Sequence, residues 1–529
     1  MQESSFKKSP DSLSNSPAPY PGSRKVKKAF VMAAGRGIRF RSYSRVIPKS
    51  MLVIDSEPLI ARNIRLLNGA FDLDKLYILI SRKNALISEY VNTMTHLKCK
   101  PEFIEISEEN VSRGLLAGYA AVVPYLNPSE VFVSVLGDEY YEGTDHRGFA
   151  EFIQSCPDFS VCCAVKKYVS PDEYFKNYSV DFLSDSLVKE VREKPKKITS
   201  AYFGLGMISG KRELPELAKK KLEENSPVNF IELLNSMPQQ GAGPLRGFEF
   251  RGGYVNINTR SDVFKLKRFL RESRWNTFSI DVIIPAWNEA ESIAYVVKDF
   301  LPVCSRVIVM DNNSNDGTAD IARAAGACVY SEKLDGYGDA IKKGMDRSRA
   351  DIMCITEADG TFRGEDIEKL LMYLKNADAV IGTRTYWQYV EYGANMPFMQ
   401  RFGNMLFGSI ITLLWWNRRS RFTDVGCTFR CLWKDSYQRI SQRLVGKGPE
   451  FSPEMIIELL NTWQRVIEVP VPYHARVMGE SKFSHSFFAS AKTAGKMLRI
   501  IVYKRWKEWM FTLVALKSMY FNAQERPSA

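Results

Sequence analysis

KKAFVMAAGRGIRFRSYSRVIPK, residues 27–49, opens on an apolar run with the length of a buried strand and breaks it with Gly35, Arg36 and Gly37. Glycines at a strand end let backbone N–H groups approach an anion, and Arg39 and Lys49 can bring positive charge to a polyphosphate. A glycine pair by itself also serves any tight turn of an α/β protein. The stretch is not a dinucleotide-binding turn, which needs a third glycine where Phe40 stands, and it is not a P-loop.

Together with Pro48-Lys49, the stretch resembles the signature of the sugar-1-phosphate nucleotidyltransferases: a strand, Ala-Ala-Gly-x-Gly-x-Arg, then Pro-Lys. The resemblance implies that the loop of Gly35 and Gly37 wraps a nucleoside triphosphate, with Arg39 and Lys49 as catalytic cations on its phosphates. Further on, the apolar run VFVSVL ends in Gly137-Asp138, at the place where open α/β sheets hold their ligands, although a capping role would put an aspartate there too. The resemblance makes Asp138 a ligand of Mg²⁺, a hard cation that takes oxygen donors. It also assigns Glu193 and Lys194, ahead of Pro195, to the sugar and its phosphate. In GGYVNINTRSD, Asn256 stands where many relatives have a second metal-binding aspartate, and its carbonyl oxygen is the implied ligand. The implied reaction is in-line attack of a sugar 1-phosphate oxygen on the α-phosphorus, which needs positioning and charge rather than a nucleophilic side chain.

The totals fit such a protein without requiring it. A chain of 529 residues predicts two to four domains, and 45% hydrophobic with 25% charged residues describes a globular chain. A net charge of +13 favours anionic partners: nucleotide phosphates, acidic lipid headgroups or nucleic acid. No nucleic-acid-binding motif accompanies it, so nucleic acid is set aside. The nine cysteines have no paired CxxC spacing and read as reduced thiols, which suits the cytoplasm. Residues 1–26, rich in Ser and Pro and without an apolar core, read as a disordered tail rather than a signal peptide or membrane span.

Near residue 275 the strand pattern begins again. IDVIIPAWNEAESI, a helix, and VIVMDNNSNDGTADIA resemble the opening of a family 2 glycosyltransferase, which implies that Pro285, Asn288 and Glu289 lie at the nucleotide and that Asp311 binds base or ribose. Asn312 stands where that family usually has a second acid. LDGYGDAIKKGM resembles the glycine-containing segment ahead of the metal strand, and DIMCITEADGTF ends that strand in Glu357 and Asp359, in place of Asp-x-Asp. Two carboxylates one residue apart at a strand end can clamp Mg²⁺ or Mn²⁺ on a diphosphate. Arg384 in IGTR, Asp424 and Arg430 in RFTDVGCTFR, and Arg476 and Lys482 in RVMGESKF are similar to the dolichyl-phosphate mannose and polyprenyl-phosphate glucose synthases. That subgroup implies phosphate-holding roles for Arg476 and Lys482 and an acidic residue, Asp424, near the acceptor. With a hydroxyl acceptor Asp424 is the first candidate for a base.

The expected fold is α/β: two Rossmann-like mixed-sheet domains in tandem, a nucleotidyltransferase over 27–274 and a GT-A glycosyltransferase over 275–490. Residues 491–529 mix Lys and Arg with Trp, Phe and Leu, the composition of a helix at a membrane surface or of one packed on the catalytic domain. LFGSIITLLWW is too short to cross about 30 Å of hydrocarbon and is either interfacial or core. The expected partners are an NTP, a sugar 1-phosphate, a nucleotide sugar and a lipid or polyprenyl-phosphate acceptor at the cytoplasmic membrane face, with a homo-oligomer left open. The competing readings are one active half beside a regulatory nucleotide-sugar-binding module, and a membrane-surface scaffold.

Overall fold

The computed structural model describes residues 25–35, 48–55, 57–81, 84–156, 158–168, 171–224, 226–394, 398–477 and 487–524. Gly37, Arg39 and Lys482 lie outside them, as does most of the expected tail; of its last two residues, Val26 is buried. The chain divides into two compact units, Met1–Leu266 and Lys267–Ala529. The division falls inside the helix Arg260–Ser273, earlier than the 274/275 junction expected from composition. Lys267 and Arg271 on that helix bond to Asp378 within the second unit, at 2.7 and 2.9 Å.

The first unit is built on a nine-stranded sheet. Lys28–Met32 lies parallel between Lys75–Ser81 and Val131–Leu136, with Met32 level with Leu136. Val131–Leu136 is buried along nearly its whole length, as a strand covered on both faces must be, which is why it reads as a continuous apolar run. Tyr202–Lys211 then runs antiparallel to it and makes the sheet mixed. A separate ribbon pairs Glu139–Glu142 with Gly253–Asn256, setting Asn256 opposite Glu139 and so beside the end of the Val131–Leu136 strand.

The second unit is built on a seven-stranded mixed sheet. Cys328–Ser331, Arg306–Asp311, Ile280–Ala286 and Ile352–Ile355 are parallel in that spatial order, and Arg430–Trp433 follows antiparallel. Alternation along the strands feeds two cores, Ile283 and Ile308 on one face and Val282, Ile284 and Val309 on the other. The long C-terminal helix, Phe487–Gln524, packs Met497, Ile501 and Lys504 inward and leaves Leu498, Val502, Trp506 and Trp509 exposed. The preceding long helix, Phe398–Leu414, is divided in the same way: Phe407 and Ile411 are core, whereas Leu406 and Leu413 are exposed. No helix among the described residues is long and apolar enough to cross a membrane.

Asp378 anchors the start of the second unit, since it also accepts from the Arg465 backbone N–H at 2.9 Å. Burial alone would push its carboxyl up, but Lys267 and Arg271 more than offset this and hold it well below the ordinary carboxylate range. Its contribution is therefore complete above the unfolded value and is lost as pH falls below about 4. Asp378→Asn removes the counter-charge of Arg271 and the nearer one of Lys267, whose other carboxylate, Asp435, lies 3.8 Å away, and is expected to destabilise the second unit by about 3 kcal/mol, measured by urea denaturation at pH 7. The difference from the parent should shrink in acid.

Candidate active sites

In the first unit, two parallel strands that end level with each other bring their next residues to one edge. Gly137 N–H donates to the Met32 carbonyl at 3.0 Å, continuing the ladder past the strand end. A Cβ at Gly137 would sit 3.2 Å from Ala33 Cβ and 3.3 Å from the Met32 oxygen, so glycine is the residue that fits there. A cavity of about 260 Å³ opens at this edge, and Gly35, Lys49, Gly114 and Asp138 are among its lining residues. Lys49 follows Pro48 into a short 3₁₀ turn and reaches back to Asp138 Oδ2 at 2.5 Å.

The ammonium of Lys49 also donates to Asn258 Oδ1 at 3.2 Å, so a cationic group stands between a carboxylate and an amide oxygen. That donor set suits a hard divalent ion. The Asn256 Oδ1 accepts from Asn258 Nδ2 at 2.9 Å and its Nδ2 donates to Asn177 at 3.0 Å. Asn258, rather than Asn256, faces Lys49. Alternation along NIN places both side chains on one side of an extended segment, a signal from which Asn258 is readable in sequence. Asp262 holds the turn through the N–H groups of Asn258 and Thr259, at 3.0 and 2.7 Å. Beneath it, Glu139 is buried and accepts from the Tyr141 and Tyr254 hydroxyls and from Gly206 N–H. Burial raises its carboxyl to about 7 against the lowering effect of the two tyrosines. Glu193 and Lys194 are not brought to the Asp138 cavity. They line a different one, of about 470 Å³, with Asn229 and Glu232.

In the second unit the strands Ile280–Ala286 and Arg306–Asp311 end side by side, with Ala286 level with Asp311, and Ile352–Ile355 lies on the other side. The loops after them are stitched together. Asn288, at φ +53°, donates its N–H to Ser314 Oγ at 2.8 Å, and Glu289 N–H donates to Thr318 Oγ1 at 2.8 Å. Asp311 is buried and accepts from Ser314 N–H at 3.3 Å. Asn312 Oδ1 takes the Leu334 N–H at 2.7 Å, so the residue in place of an acid pins the segment that leads into the helix Tyr337–Arg347.

Glu357 and Asp359 come out of the central strand into this crevice. Thr428 Oγ1 donates to Glu357 at 2.7 Å, and Asp359 accepts from Thr361 N–H and Oγ1 while Arg476 lies 2.9 Å from its other oxygen. Burial, then the neighbouring charge of Asp359, raises Glu357 to about 7. Two acids, one of them held reluctant to ionise by the other, are a fitting pair of oxygen donors for Mg²⁺ or Mn²⁺. Arg384 and Asp424, which the sequence did not pair, form a bidentate pair at 2.8 and 3.0 Å, both buried. Burial raises Asp424, but the Arg384 guanidinium beside it prevails and keeps the carboxyl below its ordinary value. Asp424 thus holds the Arg384 guanidinium in place through both of its carboxylate oxygens. Arg430, also buried, spends its donors on the carbonyls of Cys427, Ser452 and Val425.

Comparison with known proteins agrees with this division. Residues 28–241 match the Nucleotidyl transferase family and residues 281–431 match Glycosyl transferase family 2. An uncharacterised glycosyltransferase of Mycobacterium bovis is 30% identical over 217 residues, 40% of this chain and 93% of that protein. The undecaprenyl-phosphate mannosyltransferase of Micrococcus luteus is 28% identical over 225 residues, 40% of this chain and 89% of that protein. Among solved structures, a UDP-glucose pyrophosphorylase from Acinetobacter baumannii aligns at 17% identity and a TM-score of 0.39, covering 47% of this chain and 94% of that one. The chain belongs to glycosyltransferase family 2 and carries, in the same polypeptide, a nucleotidyl transferase domain.

Because ionised Glu357 is disfavoured in the folded protein, its cost develops as pH rises from its ordinary value towards 7 and persists above. Glu357→Gln is expected to raise the melting temperature at pH 8, by about 3 °C or more, and to change it little at pH 5. Added Mn²⁺ should stabilise the parent at pH 8 more than it stabilises the variant, as read by differential scanning fluorimetry.

Proposed function

We propose that the first unit makes a nucleotide sugar from a sugar 1-phosphate and an NTP, and that the second unit transfers that sugar to a polyprenyl phosphate at the cytoplasmic face of a membrane. The observation that carries the lipid acceptor is the outward apolar face of two neighbouring helices in the glycosyltransferase unit. Leu406 and Leu413 on one, and Leu498, Val502, Trp506 and Trp509 on the other, are exposed, with Lys492, Lys496, Arg499 and Lys507 among them in sequence. Aromatic and aliphatic side chains interleaved with basic ones suit an anionic lipid surface. The name of the Micrococcus luteus relative supports the same acceptor class.

In the first reaction, an oxygen of the sugar phosphate forms a bond to the α-phosphorus as the bond to pyrophosphate breaks. Lys49 moves its charge from Asp138 to the phosphates, and the glycine edge at Gly35 supplies N–H groups to them. In the second, an acceptor phosphate oxygen attacks the anomeric carbon with inversion and the nucleoside diphosphate leaves; the attacking group is already anionic, so no protein base is required. Arg476 lies where it can take up the charge that develops on the departing diphosphate. A divalent ion, when bound at either acid, supplies further charge neutralisation. A single chain that makes and uses the donor raises its effective concentration at the second site.

The test crosses a panel of sugar 1-phosphates with UTP, GTP, CTP and dTTP in Mg²⁺, reading pyrophosphate release, and then offers the product to vesicles containing polyprenyl phosphate. Asp138→Ala should lower the first reaction by about 100-fold or more and leave transfer from supplied donor unchanged. Asp359→Ala should do the reverse. Absence of pyrophosphate release across the panel, with transfer intact, would reduce the first unit to a binding module.

A further inference from the structure

The C-terminal helix carries a buried cation that the two reactions do not use. Lys504 is 3% exposed, and its three donors are all taken, by Glu454 Oε1 at 2.7 Å, Glu458 Oε1 at 2.8 Å and the Arg443 carbonyl at 2.6 Å. Both glutamates belong to the buried helix Phe451–Asn461. Without Lys504 the two buried carboxylates would keep only the exposed Arg443 guanidinium, 3.9 Å from Glu458, as a counter-charge, which is costly.

Glu454 does more than pair with Lys504. Its Oε1 accepts from Val445 N–H at 2.9 Å and its Oε2 from Gly446 N–H at 2.7 Å, fixing the loop that precedes its own helix. The next carbonyl in that loop, of Lys447, accepts from Gly338 and Asp339 N–H at 2.8 and 3.2 Å, at the start of the helix Tyr337–Arg347. The approach is close enough to dictate glycine: a Cβ on Gly336 would lie 2.8 Å from the Lys447 oxygen, and one on Gly338 would lie 2.5 Å from Phe451 Cβ. This accounts for the spacing in LDGYGDAIKKGM. Between those glycines, the Tyr337 hydroxyl donates to Thr428 Oγ1 at 3.0 Å, and Thr428 donates to Glu357 at 2.7 Å.

From this chain of contacts we infer that Lys504 is a positioning residue for the cation site of the glycosyltransferase unit, acting through Glu454, the 445–448 loop, Tyr337 and Thr428 on the donor oxygens of Glu357. The inference rests on the reading of Glu357 and Asp359 as a divalent-cation site. It makes the helix Phe487–Gln524 part of the support of that site, through Lys504. Outer-sphere partners that orient a ligating carboxylate typically change metal affinity when removed.

The test measures Mn²⁺ affinity of the full-length protein by electron paramagnetic resonance, with Asp359→Asn marking which bound ion belongs to the second unit. Lys504→Met and Tyr337→Phe are each expected to weaken that ion by about tenfold, and the double variant by no more than the larger single effect, since both cut one path. Tyr337→Phe keeps the ring and the packing, so it reports even where Lys504→Met folds poorly. Asp378→Asn, which weakens the same unit through other contacts, should leave Mn²⁺ affinity unmoved. Unchanged affinity in Tyr337→Phe, or losses that multiply in the double variant, would overturn the relay. Failure of the parent to bind any Mn²⁺ that Asp359→Asn removes would overturn the cation site itself, and the relay with it.

Discussion

Parallel strands that end level with one another deliver their next residues to a common edge, and both units depend on that constraint. Met32 beside Leu136 brings Gly35 and Asp138 together; Ala286 beside Asp311, with Ile352–Ile355 on the other flank, brings Asn288, Asp311 and the Glu357–Asp359 pair together. Neither edge is assembled by side-chain packing. It follows from the direction and register of the strands, and it fixes where charge is presented.

Charge at such an edge has to be managed in the protein itself, and the two units do this differently. The first places an ammonium, Lys49, between the oxygens of Asp138 and Asn258. The second pairs Asp359 with Arg476 and leaves Glu357 half-buried beside it, where it resists ionisation. Other buried charges are paired outright, as in Arg384 with Asp424 and Lys267 with Asp378.

What was legible in the sequence is what is local in the chain. Lys49 and Asp138 were readable because each ends or follows a recognisable strand signal, and the Glu357–Asp359 spacing because two acids one residue apart need no knowledge of the fold. Arg384 and Asp424 were each found, but not as partners: they are 40 residues apart, and only the adjacency of their segments reveals that one neutralises the other. Asn258 was hidden behind Asn256, its match to a family position, although the alternation of the two was visible. The Tyr337–Thr428 contact spans 91 residues and has no sequence signal beyond the glycines that permit the approach.

The burial of Lys504 also bears on how the chain acquires its structure. The helix that carries it is made after the helix of Glu454 and Glu458, two acids that are costly to bury together without it. The strands of the first unit are complete by Asn256. At translation rates of about 5–20 residues per second, the nucleotidyl transferase sheet has all its residues roughly ten to fifty seconds before Lys504 leaves the ribosome. A nascent chain thus passes through an interval in which one half is able to fold and the other still lacks a counter-charge, and chaperones would meet the glycosyltransferase half in that interval.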